Sequence, residues 1–174
     1  EKSLGPNDTC IDLGANYGHV TARLAATGAQ VHAFEPDPHT FGKLHENVGA
    51  LPNVKLHQNA VAALASELVL HRIPETNPAT EEQRSWSSSI LPFDTSQVAD
   101  GVRVEVRALA DVLTEIGKPI RLIKMDIGGS EIDILNQIVA EPSAFDVETI
   151  FVETHEKMRP EQLSDVLRIR KAIA

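Results

Sequence analysis

The sequence predicts a doubly wound α/β fold, in which helices cover both faces of a mostly parallel sheet. Two observations lead to this fold. Short apolar runs typical of buried strands alternate along the chain with segments of helical hydrophobic spacing, and strands joined in this way form a parallel sheet buried on both sides. The length of 174 residues suits one domain better than two. We therefore expect residues 1–174 to form a single domain.

Two strand-and-helix units open the chain. Residues 9–13 are typical of a short buried strand, and a glycine turn then leads into a small-residue helix that ends at Gly28, because glycine suits a left-handed cap. Residues 31–34 predict the second strand. Asp37 followed by Pro38 is typical of a helix N-cap and a first helical position, so the second helix is expected to begin there.

The rest of the chain continues this alternation around one long polar segment. Further strands are predicted at residues 54–60, 68–73, 102–107, 121–126 and 149–153. Further helices are predicted at residues 108–116 and 161–173, and through Ile132, Leu135 and Val139. Residues 74–101 are rich in Ser, Thr, Glu and Pro, and a segment of that length in a compact domain is usually functional or disordered. We expect it to be a flexible, partly ordered flap.

The composition excludes several classes of protein. A formal net charge of −9 disfavours a surface that neutralises phosphates, so nucleic acid is not an expected partner. The single Cys10 excludes an internal disulfide and a cysteine zinc site. No apolar run is long enough to span a bilayer, and we expect a cytoplasmic location. Because only eight residues precede the first predicted strand, the chain is expected to be the core of a longer protein.

The turn after the first strand has the features of a ligand-binding loop. Residues 12–18, DLGANYG, lie between a strand and a helix, where glycines let backbone amides approach a ligand closely. A dinucleotide fingerprint has the pattern G-x-G-x-x-G, whereas position 16 of this chain is Asn16. Asp12 at the strand end would repel a pyrophosphate but would suit an ammonium or sulfonium cation.

A second acidic residue, Glu35, follows the second strand. A carboxylate about 20 residues beyond a glycine loop is where the two hydroxyls of a ribose are bound, because it can accept a hydrogen bond from each. Both nicotinamide dinucleotides and S-adenosylmethionine carry such a ribose, so this residue predicts an adenosine ligand without distinguishing the two. Asn59 and Ala60, after the third strand, are candidate neighbours of the adenine ring.

Two later strand ends carry candidate catalytic groups. Asp126 lies at the carboxyl end of the strand at 121–126, where open α/β sheets bind their ligands. His155 follows the strand at 149–153 and could accept a proton near neutral pH, with Glu153 to orient it or line the pocket. Glu131 fits either a favourable charge in the first turn of a helix or a pocket residue. The histidines show no metal-ligand spacing, so no metal site is predicted.

Taken together, these stretches resemble the FkbM methyltransferases. The resemblance rests on DLGANYG at 12–18, AFEP at 33–36 with NV at 47–48, NAV at 59–61, and LIKMD at 122–126 ahead of GSE at 129–131. It implies a class I, Rossmann-like methyltransferase fold that binds S-adenosylmethionine. By the same resemblance, Asp12, Gly14, Asn16 and Gly18 would border the methionine part, Glu35 the ribose, Asn59 and Ala60 the adenine, and Asp126 the methyl group and acceptor. Tyr17 and Pro36 are further cofactor-binding candidates.

The chain departs from the family pattern at one position and in its expected sheet. Gly128 stands where the family usually has an acidic residue, and the last two strands of the fold are not evident, so a shortened sheet is expected. The hypothesis from the sequence is O-methylation of a small molecule or sugar. Two alternatives stay open at this stage: a nicotinamide-dependent oxidoreductase, and a cofactor-binding module without catalysis.

Overall fold

A computed structural model describes residues 3–70, 101–157 and 159–173 of the chain. Its strands are β1 (Thr9–Leu13), β2 (Gln30–Phe34), β3 (Val54–His57), β4 (Ala60–Ala62), β5 (Ser66–Leu70), β6 (Val102–Ala108), β7 (Leu122–Met125) and β8 (Ile150–Val152). Its helices are α1 (His19–Ala25), α2 (Pro38–Val48), α3 (Leu109–Ile116), α4 (Glu131–Ala140) and α5 (Leu163–Ile173), with 3₁₀ turns at Pro142–Ala144 and Pro160–Gln162.

A parallel sheet forms the centre of the described part, with strand order β3-β2-β1-β7-β8. The middle strand β1 is buried along its whole length, as expected for a strand with neighbours on both sides and helices on both faces. Asp12 of β1 lies opposite Ala33 of β2 and Lys124 of β7. The carboxyl ends of these three strands therefore meet at one edge of the sheet.

Helices cover both faces of this sheet, which confirms the doubly wound α/β prediction. On one face, Leu24 and Ala25 of α1 pack against Cys10 and Val31. On the other face, the side chains of α3 and α4 join the inward residues of β1, β2 and β7 in the largest apolar cluster. That cluster is built around Ile11, Leu13, Phe34, Leu109, Val112, Ile123, Met125 and Ile134.

Local signals fix where the first two helices begin and end. Asp37 caps α2 because its Oδ1 accepts hydrogen bonds from the amides of His39 and Thr40, at 2.8 and 3.0 Å, and Pro38 occupies the first helical position. Gly28 follows α1 with a φ of +89°, the left-handed conformation predicted for it. The sequence therefore placed both units correctly.

The strand predicted at 54–60 is confirmed as far as His57 and is wrong beyond it, because the chain leaves the central sheet there. β3 ends at His57, and β4 pairs in parallel with β6 in a second sheet of order β4-β6-β5, where β5 and β6 are antiparallel. The break falls at Gln58 and Asn59, and the predicted strand ran through this polar pair because apolar residues resume at Ala60. The two extra strands predicted at 68–73 and 102–107 correspond to β5 and β6. Residues 71–100, which include nearly all of the predicted flap, lie outside the described residues.

The described part of the sheet ends at β8, whose Phe151 is 65% exposed. No helix among the described residues has the length and apolar character needed to cross a membrane. The single-domain assignment stays a prediction.

Candidate functional site

A cavity of about 610 Å³ opens at the carboxyl ends of β1, β2 and β7 and extends along the sheet to Leu122 and Thr149. This volume falls in the usual range for small-molecule sites, about 300 to 1,000 Å³. The predicted site residues that line it are Gly14, Asn16, Glu35, Pro36, Asn59, Ala60 and Asp126. The structure thus brings together residues separated by more than a hundred positions, as expected where parallel strands end side by side.

The glycine loop after β1 is tightly folded against the neighbouring strands. The amides of Gly14 and Ala15 both donate to the carbonyl of Phe34, at 3.0 and 2.9 Å. Gly14 has a φ of +73°, and a Cβ at this position would overlap the carbonyl oxygen of Asp126. Asn16, with a φ of +51°, also adopts the left-handed conformation. The loop is therefore held in one shape, with little room for a larger residue.

Asp12, Tyr17 and Gly18 do not line the cavity. Asp12 is fully buried beneath the loop, where its Oδ2 accepts a 2.7 Å hydrogen bond from Thr21 Oγ1. At Gly18, a Cβ would come within 2.8 Å of Leu44 Cδ1, so this glycine allows close packing of α1 and α2. Asp12, Tyr17 and Gly18 of the loop at residues 12–18 therefore support the site from behind, whereas Gly14 and Asn16 of the same loop face the cavity.

Lys124 is a site residue to which the sequence analysis gave no role. Its Nζ donates to the carbonyl of Gly14 at 2.8 Å and lies 3.4 Å from Asp12 Oδ1 and 3.9 Å from Asp126 Oδ2. The side chain is only 13% exposed and lines the cavity. A lysine in an otherwise apolar, buried strand was the signal available, because such a charge needs partners. Lys124 ties the glycine loop to β7.

Glu35 is an almost buried carboxylate in the cavity wall, with 7% of its surface exposed. Its Oε2 accepts from the amide of Asn16 at 3.0 Å and its Oε1 from the amide of Asp37 at 2.9 Å. Burial raises the pKa of Glu35 to about 7, although these two hydrogen bonds act in the opposite direction. Glu35 is therefore close to half charged at neutral pH, and each oxygen keeps a further lone pair.

Three polar side chains cluster at the β7 end of the cavity. His155 Nε2 lies 3.5 Å from Asp126 Oδ1, and His155 Nδ1 lies 3.3 Å from Glu131 Oε1. Asp126 lines the cavity, and 38% of its side chain is exposed. Glu131 is fully buried and the His155 side chain is 10% exposed, and both lie behind Asp126. The adjacent Glu131 carboxylate raises the pKa of His155, against the opposing effect of burial.

The remaining predicted residues have simpler surroundings. Glu153 lines the cavity, which was one of the two roles expected for it. The carboxylates within 4 Å of His155 are those of Glu131 and Asp126. Asn59 donates from Nδ2 to Glu105 Oε2 on β6 at 2.7 Å, so the second sheet fixes the strand end at this side of the cavity. Gly128, at the position where an acid was expected, also lines the cavity and has a φ of +69°.

Comparisons with known proteins agree with this architecture. The crystal structure of methyltransferase FkbM from Methylobacillus flagellatus shares the fold, with a TM-score of 0.52 at 19% identity over 86% of this chain and 34% of that chain. The 2-O-methyltransferase NoeI of Sinorhizobium fredii is 28% identical over 138 residues, 75% of this chain and 57% of that protein. The hexuronic acid methyltransferase AglP of Haloferax volcanii is 25% identical over 163 residues, 92% of this chain and 62% of that protein.

This chain spans a little over half the length of these two relatives. The model of the methyltransferase FkbM domain matches residues 12–174, which begins at the aspartate under the glycine loop and includes every lining residue of the cavity. The resemblance inferred from the motifs is thereby confirmed, and the chain belongs to the FkbM methyltransferase domain family.

Proposed function

We propose that this domain transfers a methyl group from S-adenosylmethionine to a hydroxyl oxygen of a sugar or another small molecule. The observation that carries the proposal is the position of Glu35. This chain belongs to the FkbM family. Its buried Glu35 carboxylate accepts a hydrogen bond from the amide of Asn16 in the glycine loop and faces a cavity of about 610 Å³. A carboxylate in that place can accept hydrogen bonds from both hydroxyls of a ribose.

The residues at the cavity fit an adenosyl donor with a cationic methionine part. Glu35 would hold the ribose, Asn59 and Ala60 would border the adenine, and Gly14 and Asn16 would border the methionine part. Asp12 would act indirectly, since it is buried and lies 3.4 Å from Lys124 Nζ. When bound, S-adenosylmethionine supplies a methyl group activated by its positive sulfur.

Asp126 is the group that we place at the acceptor. It follows β7, which lies on the other side of β1 from the strand that precedes Glu35, and it is the more exposed member of the cluster with His155. Asp126, with His155 against it, would accept the proton of the attacking hydroxyl, a contribution of typically about 10²- to 10⁴-fold in rate. Holding the hydroxyl in line with the methyl group can contribute up to roughly 7 to 11 kcal/mol of the barrier.

The names of the relatives support a carbohydrate acceptor. One relative is named as a 2-O-methyltransferase and another as a hexuronic acid methyltransferase. The proposal includes a cytoplasmic location. It also excludes nucleic acid as a partner, which the net charge of −9 supports.

Calorimetric titration separates the proposal from the oxidoreductase alternative. We expect S-adenosylmethionine and S-adenosylhomocysteine to bind and NAD to leave the signal unchanged. Glu35→Ala should weaken binding roughly tenfold to a hundredfold, because hydrogen bonds to a charged group contribute about 1.5 to 3 kcal/mol. Glu46→Ala, at a glutamate whose side chain is 67% exposed on α2, is the matched control and should bind normally. Tight NAD binding with no response to the two sulfur compounds would overturn the proposal.

A labelled-methyl assay addresses catalysis. Wild-type protein is incubated with S-adenosylmethionine carrying a labelled methyl group and a panel of hydroxylated sugars and small molecules. We expect label on at least one acceptor and its loss in Asp126→Ala. Cofactor binding with no transfer to any member of a broad panel would favour a binding module without catalysis.

A further inference from the structure

Three side chains at the acceptor end of the cavity lie close enough to share one metal ion. Asp126 follows β7, Glu131 is in the first turn of α4, and His155 follows β8. Each offers one ligand atom, and the three atoms lie within 4.8 Å of one another. Ligands of a divalent cation at about 2.1 to 2.4 Å are separated by about 3 to 5 Å. We infer that this cluster binds a divalent cation.

One buried atom of the cluster, Glu131 Oε2, has no hydrogen-bond partner among the described residues, and its side chain is 0% exposed. His155 Nδ1, on a side chain that is 10% exposed, faces the other oxygen of the same carboxylate at 3.3 Å. The Glu131 carboxylate is held in place, because its Oε1 accepts a 2.7 Å hydrogen bond from the amide of Ile127. An unsatisfied polar atom in such a position costs roughly 1 to 3 kcal/mol, and more when charged. A bound cation would satisfy Glu131 Oε2.

The charges around the cluster favour a cation. Asp126 and Glu131 are carboxylates, and Glu153 adds a third at the cavity wall. The nearest lysine is Lys124, whose Nζ lies 3.9 Å from Asp126 Oδ2. The same Nζ donates a hydrogen bond to the Gly14 carbonyl at 2.8 Å, so Lys124 interacts mainly with the glycine loop. Three carboxylates outnumber the one imidazole, so an excess of negative groups remains in this largely buried place even with His155 protonated.

The donor set indicates which kind of ion would bind. Two carboxylates and one imidazole combine the oxygen ligands preferred by Mg²⁺ and Mn²⁺ with the nitrogen ligand preferred by later transition metals. Mn²⁺ accepts both, and is the ion that we expect to bind best among common hard cations. Three protein ligands leave other coordination positions of the ion open. Because Asp126 lines the cavity, these positions would face the cavity.

The use of the ion, unlike its binding, rests on the proposed function. A hydroxyl bound to a divalent cation loses its proton more readily. With His155 and Glu131 as ligands, the second oxygen of Asp126 would remain to accept that proton. No metal site was predicted from the sequence, because the three ligands are distant along the chain and only the fold brings them together.

The binding test uses purified protein stripped with a chelator, desalted and titrated with Mn²⁺, with the free ion followed by electron paramagnetic resonance. We expect one Mn²⁺ per chain. Glu131→Gln and Asp126→Asn should each weaken binding by at least about tenfold. Asp133→Asn is the matched control, since Asp133 is an exposed acid in the same turn of α4, and it should bind as the wild type does.

The outcomes distinguish this inference from the proposed function. Because Asp126 is partly exposed, Asp126→Asn stays informative even if Glu131→Gln fails to fold, which circular dichroism would show. Absence of Mn²⁺, Mg²⁺ and Zn²⁺ binding by the wild type, or equal binding by Asp126→Asn, would overturn the metal site, whether or not S-adenosylmethionine binds. Cation binding without S-adenosylmethionine binding would leave the metal site standing and refute the proposed function.

Discussion

Replacing Glu35 with glutamine should remove the pH dependence of cofactor binding near neutral pH. The structure buries this carboxylate and raises its pKa to about 7. A ribose that donates hydrogen bonds to Glu35 favours the charged form, so protonation of Glu35 competes with binding. Affinity for S-adenosylhomocysteine should therefore rise as the pH increases from 6 to 8 in the wild type.

The size of this effect follows from the pKa. With a pKa of about 7, the charged fraction of Glu35 is about one tenth at pH 6 and about nine tenths at pH 8. Since the apparent dissociation constant scales inversely with the binding-competent fraction, the affinity should increase about tenfold across this range. Glu35→Gln cannot ionise, and its affinity should stay near the low-pH value of the wild type.

The assay is isothermal titration calorimetry at pH 6, 7 and 8 in buffers of equal ionic strength. His19 also lines the cavity, and the variant keeps it, so the difference between the two proteins isolates Glu35. Equal slopes in the wild type and in Glu35→Gln, or no change in the wild type, would refute the role given to Glu35.

Three further predictions concern stability, measured by urea unfolding. In the unliganded protein, the raised pKa means that the folded state favours protonated Glu35. The free energy of unfolding of the wild type should therefore fall relative to that of Glu35→Gln as the pH rises from about 4.5 to 7, by up to about 1.4 kcal/mol per pH unit. Parallel pH profiles of the two proteins would contradict this. Gly14→Ala should destabilise the protein by more than about 2 kcal/mol, because φ is +73° and the methyl group would overlap the carbonyl oxygen of Asp126. Gly42→Ala is the control, in a helix with open space around the glycine, and should stabilise by about 0.5 to 1 kcal/mol. Equal effects of the two substitutions would refute the steric argument. Thr21→Val should cost about 1 to 3 kcal/mol, because buried Asp12 loses a 2.7 Å hydrogen bond, and unchanged unfolding would show that this bond is unimportant.

Sequence reasoning succeeded where the signal is local. The boundaries of β1 match because an apolar run ends at a glycine turn, and the start of α2 matches because Asp37 and Pro38 satisfy the needs of a helix N-terminus within four residues. Glu35 could be placed at a strand end beside the glycine loop for the same reason, since both motifs directly follow adjacent strands.

Sequence reasoning was incomplete where the outcome depends on distant partners. The chain crosses from β3 to β4 because Ala60–Ala62 pairs with a strand more than forty residues later, which no local pattern encodes. The burial of Asp12 depends on Thr21 and on Lys124 from β7. The approach of Glu131 to His155 likewise needs α4 and the β8 end to meet, and spacing along the chain could not reveal it.

The most direct test of the account is a crystal structure with S-adenosylhomocysteine bound. We predict that the ribose hydroxyls lie within hydrogen-bond distance of the Glu35 carboxylate, with the sulfur directed toward Asp126. A ligand whose ribose lies away from Glu35, or a dinucleotide bound with its diphosphate against Asn16, would contradict the account.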